Sequence, residues 1–131
     1  MIISIDAANG LAIYDQIVRQ IKFAVASEVL LPGELVPSVR EMAKQTAVNP
    51  NTVSRAYREL QSEGILDVVR GTGLQVTSAA VAQCRKDRQG LIQERLRAVL
   101  KEAQQSQLDV EDIRQLIETE LARLNGKGTS E

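Results

Sequence analysis

The side chains best suited to directed chemistry in this 131-residue chain fall between Leu35 and Gly73. Asn49, Asn51, Thr52 and Arg55 crowd one short run, Val48-Asn49-Pro50-Asn51-Thr52-Val53-Ser54-Arg55-Ala56-Tyr57; Ser38 and Arg40 precede it and Arg70 follows. These are donors and acceptors rather than nucleophiles. Arginine can meet the paired acceptors of guanine or a phosphate, asparagine can address adenine, and hydroxyls serve phosphate oxygens. Bland readings compete at the same positions: Ser38 and Asn49 can be helix caps alone, and Lys44 and Arg58 ordinary solvated charge.

Other chemistries lack their residues. There is no histidine, and the single cysteine, Cys84, allows neither an intramolecular disulfide nor a Cys-x-x-Cys metal pair. The usual general base and the Cys/His and Ser/His nucleophile pairs go with the histidines. No phosphate loop or paired-carboxylate constellation stands out, so no enzyme, no cofactor and no metal is expected. Cys84 lies on an apolar helical stripe, where packing is the expected role and redox sensing the alternative. No apolar run approaches a membrane span, and the amino terminus lacks a basic segment leading an apolar one, so the expected location is the cytoplasm, away from the membrane.

Net charge is −1, which by itself gives no support to a polyanionic partner. Distribution matters more. From Leu31 to Thr77 the bases Arg40, Lys44, Arg55, Arg58 and Arg70 are balanced by Glu34, Glu41, Glu59, Glu63 and Asp67, yet the neutral sum can conceal a basic face.

The elements that position these residues follow from end chemistry. Ser38-x-x-Glu41 has the form of a capping box and starts one helix near Val39. Asn49-Pro50 starts another, because asparagine caps well and proline fits the first helical position. Val53, Ala56, Tyr57 and Leu60 recur at helical spacing as its inner face, leaving Asn51, Thr52, Arg55 and Arg58 nearer the outside. Gly64 supplies a left-handed stop. About three residues separate the two helices, the spacing of a helix-turn-helix. Ile65–Val69 and Leu74–Thr77 then read as strands flanking Arg70-Gly71-Thr72-Gly73, a hairpin whose tip carries an arginine suited to a phosphate or a minor groove. The sum is a winged helix-turn-helix.

At these residues the chain resembles the GntR family. Leu31-Pro32-Gly33-Glu34-Leu35-Val36-Pro37-Ser38-Val39-Arg40-Glu41-Met42-Ala43 is similar to the family's LPG-x-x-LPS-x-R-x-LA opening, with Val36 an extra residue or a replacement for the usual leucine. Val48 to Leu60 resembles the short regulators of the YtrA subfamily, in which VNPNTV and AY-x-x-L recur. Ile13-Tyr14-Asp15-Gln16-Ile17 resembles their PIYEQI, with Ala12 where proline is usual. The resemblance covers about Ile13 to Val76 and implies a DNA-binding transcriptional regulator. In the family, positions matching Arg40, Asn49, Pro50, Ser54, Arg70 and Gly71 approach DNA; Pro50 offers no polar side chain there, so specificity leans on its neighbours. The implied partners are double-stranded DNA, a second copy of the chain and an unidentified small-molecule effector.

Around this centre, Met1–Asp6 alternates as a short strand, and Gly10–Leu30 reads as a first helix with the stripe Ile13, Ile17, Ile21, Ala24 and Val25. Tyr14 is expected in the core or an interface, with ligand contact as the alternative. Ser78–Gln107 reads as a helix with Gly90 a weak point or kink. Leu108-Asp109 restarts a helix, capped by Asp109 and stapled by Leu108 on Ile113, and Asn125-Gly126 ends it before a frayed tail, Lys127–Glu131.

The class is therefore mainly α with a small β wing (α+β): a winged helix-turn-helix DNA-binding domain, 1–77, followed by a two-helix dimerisation and effector region, 78–131. Two helices cannot bury two apolar stripes alone. Leu91, Ile92, Leu96, Val99, Leu100, Ile113, Leu116, Ile117, Leu121 and Leu124 are expected to meet a second copy in a symmetric four-helix arrangement, although folding back on the winged domain would also cover them. The expected function is sequence-specific binding, as a dimeric repressor, to a palindromic operator. The alternative is a winged-helix protein-interaction module of a larger assembly.

Overall fold

Helix order and caps follow the end chemistry closely. The computed structural model of the protein describes residues 2–129, with side chains described through Gly126. Its elements are α1 (Ile13–Ala26), α2 (Val39–Thr46), α3 (Pro50–Ser62), β1 (Leu66–Val69), β2 (Gly73–Val76), α4 (Ala80–Gln105) and α5 (Val110–Thr129). Both halves of the Ser38–Glu41 capping box are made: Glu41 N–H donates to Ser38 Oγ at 3.1 Å and Ser38 N–H to Glu41 Oε1 at 3.0 Å. Asn49 caps α3 by accepting from Asn51 N–H at 2.8 Å. Ala47, Val48 and Asn49 form the turn between α2 and α3, with Ala47 itself left-handed at φ 54°. Gly64, at φ 77°, ends α3: its N–H reaches Gln61 O, and Ile65 N–H reaches Leu60 O at 2.9 Å, the paired bonds of a Schellman motif.

The chain divides into two compact units, Met1–Gly90 and Leu91–Glu131. In the first, one apolar core joins Ile17, Ile21 and Val25 of α1, Met42 of α2, Val53, Ala56, Tyr57 and Leu60 of α3, and Ile65, Leu66 and Val76 of the hairpin. Ala80 and Cys84, from the opening turns of α4, belong to the same core. That is why this unit extends past the end of the hairpin.

β1 and β2 pair antiparallel, Leu66 opposite Val76 and Val69 opposite Gly73, around the tip Arg70-Gly71-Thr72. The free edge of β2 is covered as well. Gly33 N–H donates to Val76 O, Val76 N–H to Glu34 O and Val36 N–H to Leu74 O, so the segment leading into α2 is laced to the wing. This pairing is backbone to backbone and left no side-chain pattern to read.

Four expectations are corrected. The segment before Asp6 is extended but is not a strand, because among the described residues no strand pairs with it; side-chain amides of α1 take that place. Gln20 exchanges both hydrogen bonds with the backbone of Ser4, and Gln16 both with Asp6. Met1, the first residue of that expected strand, lies outside the described residues. Helix α1 spans Ile13–Ala26 rather than Gly10–Leu30, since Ala12 is extended at its start and left-handed Glu28 follows Ser27 at its end. Helix α4 begins and ends about two residues inside the expected range, closed by left-handed Gln107, and is helical through Gly90. Asn125-Gly126 does not stop α5, which continues to Thr129; of the expected tail, residues 130–131 lie outside the described residues.

In the second unit Asp109 caps α5 as expected, in a box whose other carboxylate is Asp112: Asp112 N–H donates to Asp109 Oδ1 at 2.9 Å and Asp109 N–H to Asp112 Oδ2 at 3.2 Å. Ile92, Leu96, Val99, Leu116, Leu121 and Leu124 are all exposed, whereas Leu91, Leu100 and Ile113 are half-buried. Two helices side by side have too little surface to cover both stripes.

Candidate nucleic-acid interface

The start of α3 presents its polar residues outward because its apolar residues are committed inward. Val53, Ala56, Tyr57 and Leu60 are buried; Asn49, Pro50, Asn51 and Arg55 are exposed, and Thr52 and Ser54 half-buried. Helix α3 is held at this attitude partly by Tyr57, whose hydroxyl donates to Pro37 O at 2.7 Å, just ahead of α2. Burial, with the Glu41 carboxylate nearby, raises the Tyr57 phenol above its ordinary range.

Ser38 and Arg40 are exposed at the start of α2, and Arg70 and Gly71 at the wing tip. A groove of about 390 Å³ lies between the start of α2 and the wing, lined by Ser38, Val39 and Glu41 on one side and Thr72, Gly73 and Leu74 on the other; Arg40, Arg70 and Gly71 do not line it. Gly71 holds φ 76°, a conformation that costs glycine little and a branched residue much. Both capping roles are real: the Ser38 hydroxyl and the Asn49 carbonyl oxygen are each engaged by backbone N–H groups.

The neutral charge sum resolves at the level of partners. Arg40, Lys44, Arg55, Arg58 and Arg70 are all exposed, and none forms a salt bridge among the described residues. Three of the five opposing acids are occupied internally. Glu34 accepts from Leu31 N–H, Glu41 from Ser38 N–H, and Glu63 from Lys22 Nζ at 2.7 Å. The Ser38 backbone N–H, with its hydroxyl, holds the Glu41 carboxyl below the usual range. Of these three, only Glu63 meets a cation among the described residues; Glu34 and Glu41 keep their charge on backbone N–H groups, and the five exposed cations remain available to a phosphate backbone.

Two features were not anticipated. Tyr14 is half-buried against the core, as expected, but its outer ring face carries the Arg55 guanidinium, whose Cζ lies 3.7 Å from the ring centroid. Lys22 is buried at 6% exposure among Val18, Ile21 and Val25, and its ammonium meets Glu63 and, at 3.3 Å, Asp87 of α4. Burial alone would push the Lys22 pKa down; the hydrogen bond and charge of Glu63, joined by Asp87, outweigh it and raise the pKa. A lysine interrupting an apolar helical stripe was the available signal. Gln83 adds a bond to Glu63 O and Arg85 one to Ala26 O, so the first turns of α4 are fastened to α1 and to the end of α3. Cys84 is buried beside them, its thiol pushed up to about 11 by burial, which leaves it unreactive at neutral pH.

Among the described residues no cluster of metal-ligating side chains occurs, and no helix is long and apolar enough to cross a membrane. A three-helix core, whose third helix turns its polar edge outward, and an arginine-tipped hairpin define a winged helix-turn-helix protein.

Comparisons narrow this class. Residues 13–76 match the family described as "Bacterial regulatory proteins, gntR family". The chain is 34% identical over 124 residues to the HTH-type transcriptional repressor YtrA of Bacillus subtilis (strain 168), covering 95% of each chain. Among solved structures it is similar to a GntR family transcriptional regulator from Listeria monocytogenes, with 29% identity and a TM-score of 0.64 over 85% of this chain and 96% of that one. It is also similar to the DNA-binding domain of AraR in complex with operator ORX1, with 25% identity and a TM-score of 0.53 over 58% of this chain and 96% of that one. The protein belongs to the GntR family and is YtrA-like.

Proposed function

We propose that this GntR-family DNA-binding regulator is a homodimeric repressor that acts in the cytoplasm by occupying a palindromic operator. The observation that carries the reading is the exposed set Arg40, Arg55 and Arg70 around the polar start of α3, none of them in a salt bridge among the described residues. Asn51, Thr52 and Arg55 read base edges, with Asn49 and Ser54 beside them. Ser38, Arg40, Arg70 and Gly71 hold phosphates or the minor groove, and Pro50 sets the helix start against the backbone. In this reading 1–77 forms the DNA-binding domain and 78–131 the dimerisation region. The exposed apolar residues of α4 and α5 meet their copies across a two-fold axis, placing two reading helices about 34 Å apart, one helical turn of DNA. The groove between α4 and α5, about 650 Å³ and lined by Leu100, Leu108 and Ile113 with Arg97 and Lys101, gives a small-molecule effector a place to act on that dimer.

The test is selection from a random duplex pool by the purified protein at fixed moderate salt. Recovery of an inverted repeat with half-sites one turn apart is the expected result. A folded protein that enriches no sequence would overturn the operator reading and favour a protein-interaction module.

A further inference from the structure

We infer that Tyr14 is a positioning residue for DNA recognition, its ring holding the Arg55 guanidinium in the pose that meets the duplex. This rests on the reading of Arg55 as a DNA contact. The guanidinium carbon sits 3.7 Å from the ring centroid, so the contact engages the flat face of the cation. Its N–H donors lie in the plane of the group, and a stacked face leaves that plane open to a pair of acceptors such as a guanine edge. No salt bridge to Arg55 occurs among the described residues, so no carboxylate competes for those donors.

The platform is packed where the cation is exposed. Tyr14 stands in the first turn of α1 and packs against the core that α1 shares with α3, whereas Arg55 is exposed. An unsupported arginine loses much rotamer freedom when it binds; one already stacked on a fixed ring loses less. An exposed cation–π contact corresponds to about a two- to five-fold effect on an equilibrium.

The experiment compares Tyr14→Phe, Tyr14→Leu, Arg55→Ala and the Tyr14→Leu/Arg55→Ala double variant. Affinity for the selected operator and for random duplex is read at one salt concentration, alongside thermal unfolding. Tyr14→Phe keeps the ring and is expected to match wild type. Tyr14→Leu is expected to lower the operator-to-random ratio about two- to five-fold, and to add nothing in the Arg55→Ala background. Independent, multiplying effects of the two substitutions would overturn the inference, as would tighter binding by Tyr14→Leu, which would mean that the ring sequesters the cation. If Arg55→Ala weakens operator binding and Tyr14→Leu does not, the role of Arg55 stands and this inference alone fails. If Arg55→Ala changes nothing, the DNA role of Arg55 fails and takes the inference with it. A readout independent of folding is the Arg55 Nε–H resonance in free wild-type protein, expected to be displaced by the ring current; its appearance at the ordinary position would also overturn the stack.

Discussion

Replacing Leu121 and Leu124 together by glutamine tests the proposed dimer at the exposed apolar face of α5. In the single chain these side chains are 54% and 67% exposed, so a partner has that much of each still to cover. Complete burial of a leucine is worth about 2 kcal/mol, which makes the uncovered share roughly 1 kcal/mol per side chain. Two-fold symmetry counts every substitution twice, so the dimer loses about 4–5 kcal/mol. At about 1.4 kcal/mol per decade that is roughly a thousand-fold weaker dimerisation. Glutamine is chosen because its helix propensity is close to that of leucine, which leaves α5 itself little affected. Sedimentation equilibrium over a wide concentration range reads the association constant, and circular dichroism checks that helix content is kept. Dimerisation within about ten-fold of wild type would refute the assignment of this face as the seam.

Ser38→Ala removes one side of the capping box and is expected to lower unfolding free energy by about 1 kcal/mol in denaturant titration. Arg40→Ala is expected to weaken binding to all duplexes alike and to reduce the salt slope by about one, whereas Asn51→Ala should cost about 1–3 kcal/mol on the operator alone, both read by titration at several salt concentrations. Lys22→Met strands Glu63 and Asp87 near the base of α4 and is expected to cost about 1–2 kcal/mol. Because the folded Lys22 pKa lies above its ordinary 10.5, its contribution is complete below that pH and disappears as pH rises through the folded value. The raised Tyr57 phenol acts in the same direction above about pH 10, so wild type should lose stability on the alkaline side and Lys22→Met should lose less of it, as followed by unfolding between pH 8 and about 12.

Local chemistry was sufficient for much of this fold. Ser38, Glu41, Asn49, Pro50 and Gly64 placed α2, the turn and α3 from sequence, because a cap or a left-handed stop is decided by residues within a few positions of one another. The same locality made Asn51, Thr52 and Arg55 legible as the outward edge of α3, since helical periodicity assigns the inner face to Val53, Ala56, Tyr57 and Leu60. The end signals that failed were weaker: Asn125-Gly126 looked like a stop, yet helical bonding carries α5 past it.

What depended on distant parts of the chain had to come from the folded structure. The expected first strand proved to be extended chain held by Gln16 and Gln20, because strand identity needs a partner that sequence alternation cannot supply. The Gly33–Val36 pairing on β2, the Lys22–Glu63–Asp87 cluster and the Tyr14–Arg55 stack join residues far apart in sequence, and no periodicity encodes them. The charge question was settled in the same way. Sequence counted five bases against five acids and already read Glu41 as a capping partner; tertiary structure added that Glu63 is neutralised by Lys22, while the five bases are exposed and form no salt bridge among the described residues. Composition determines how many charges a chain has; folding determines which of them remain for a partner.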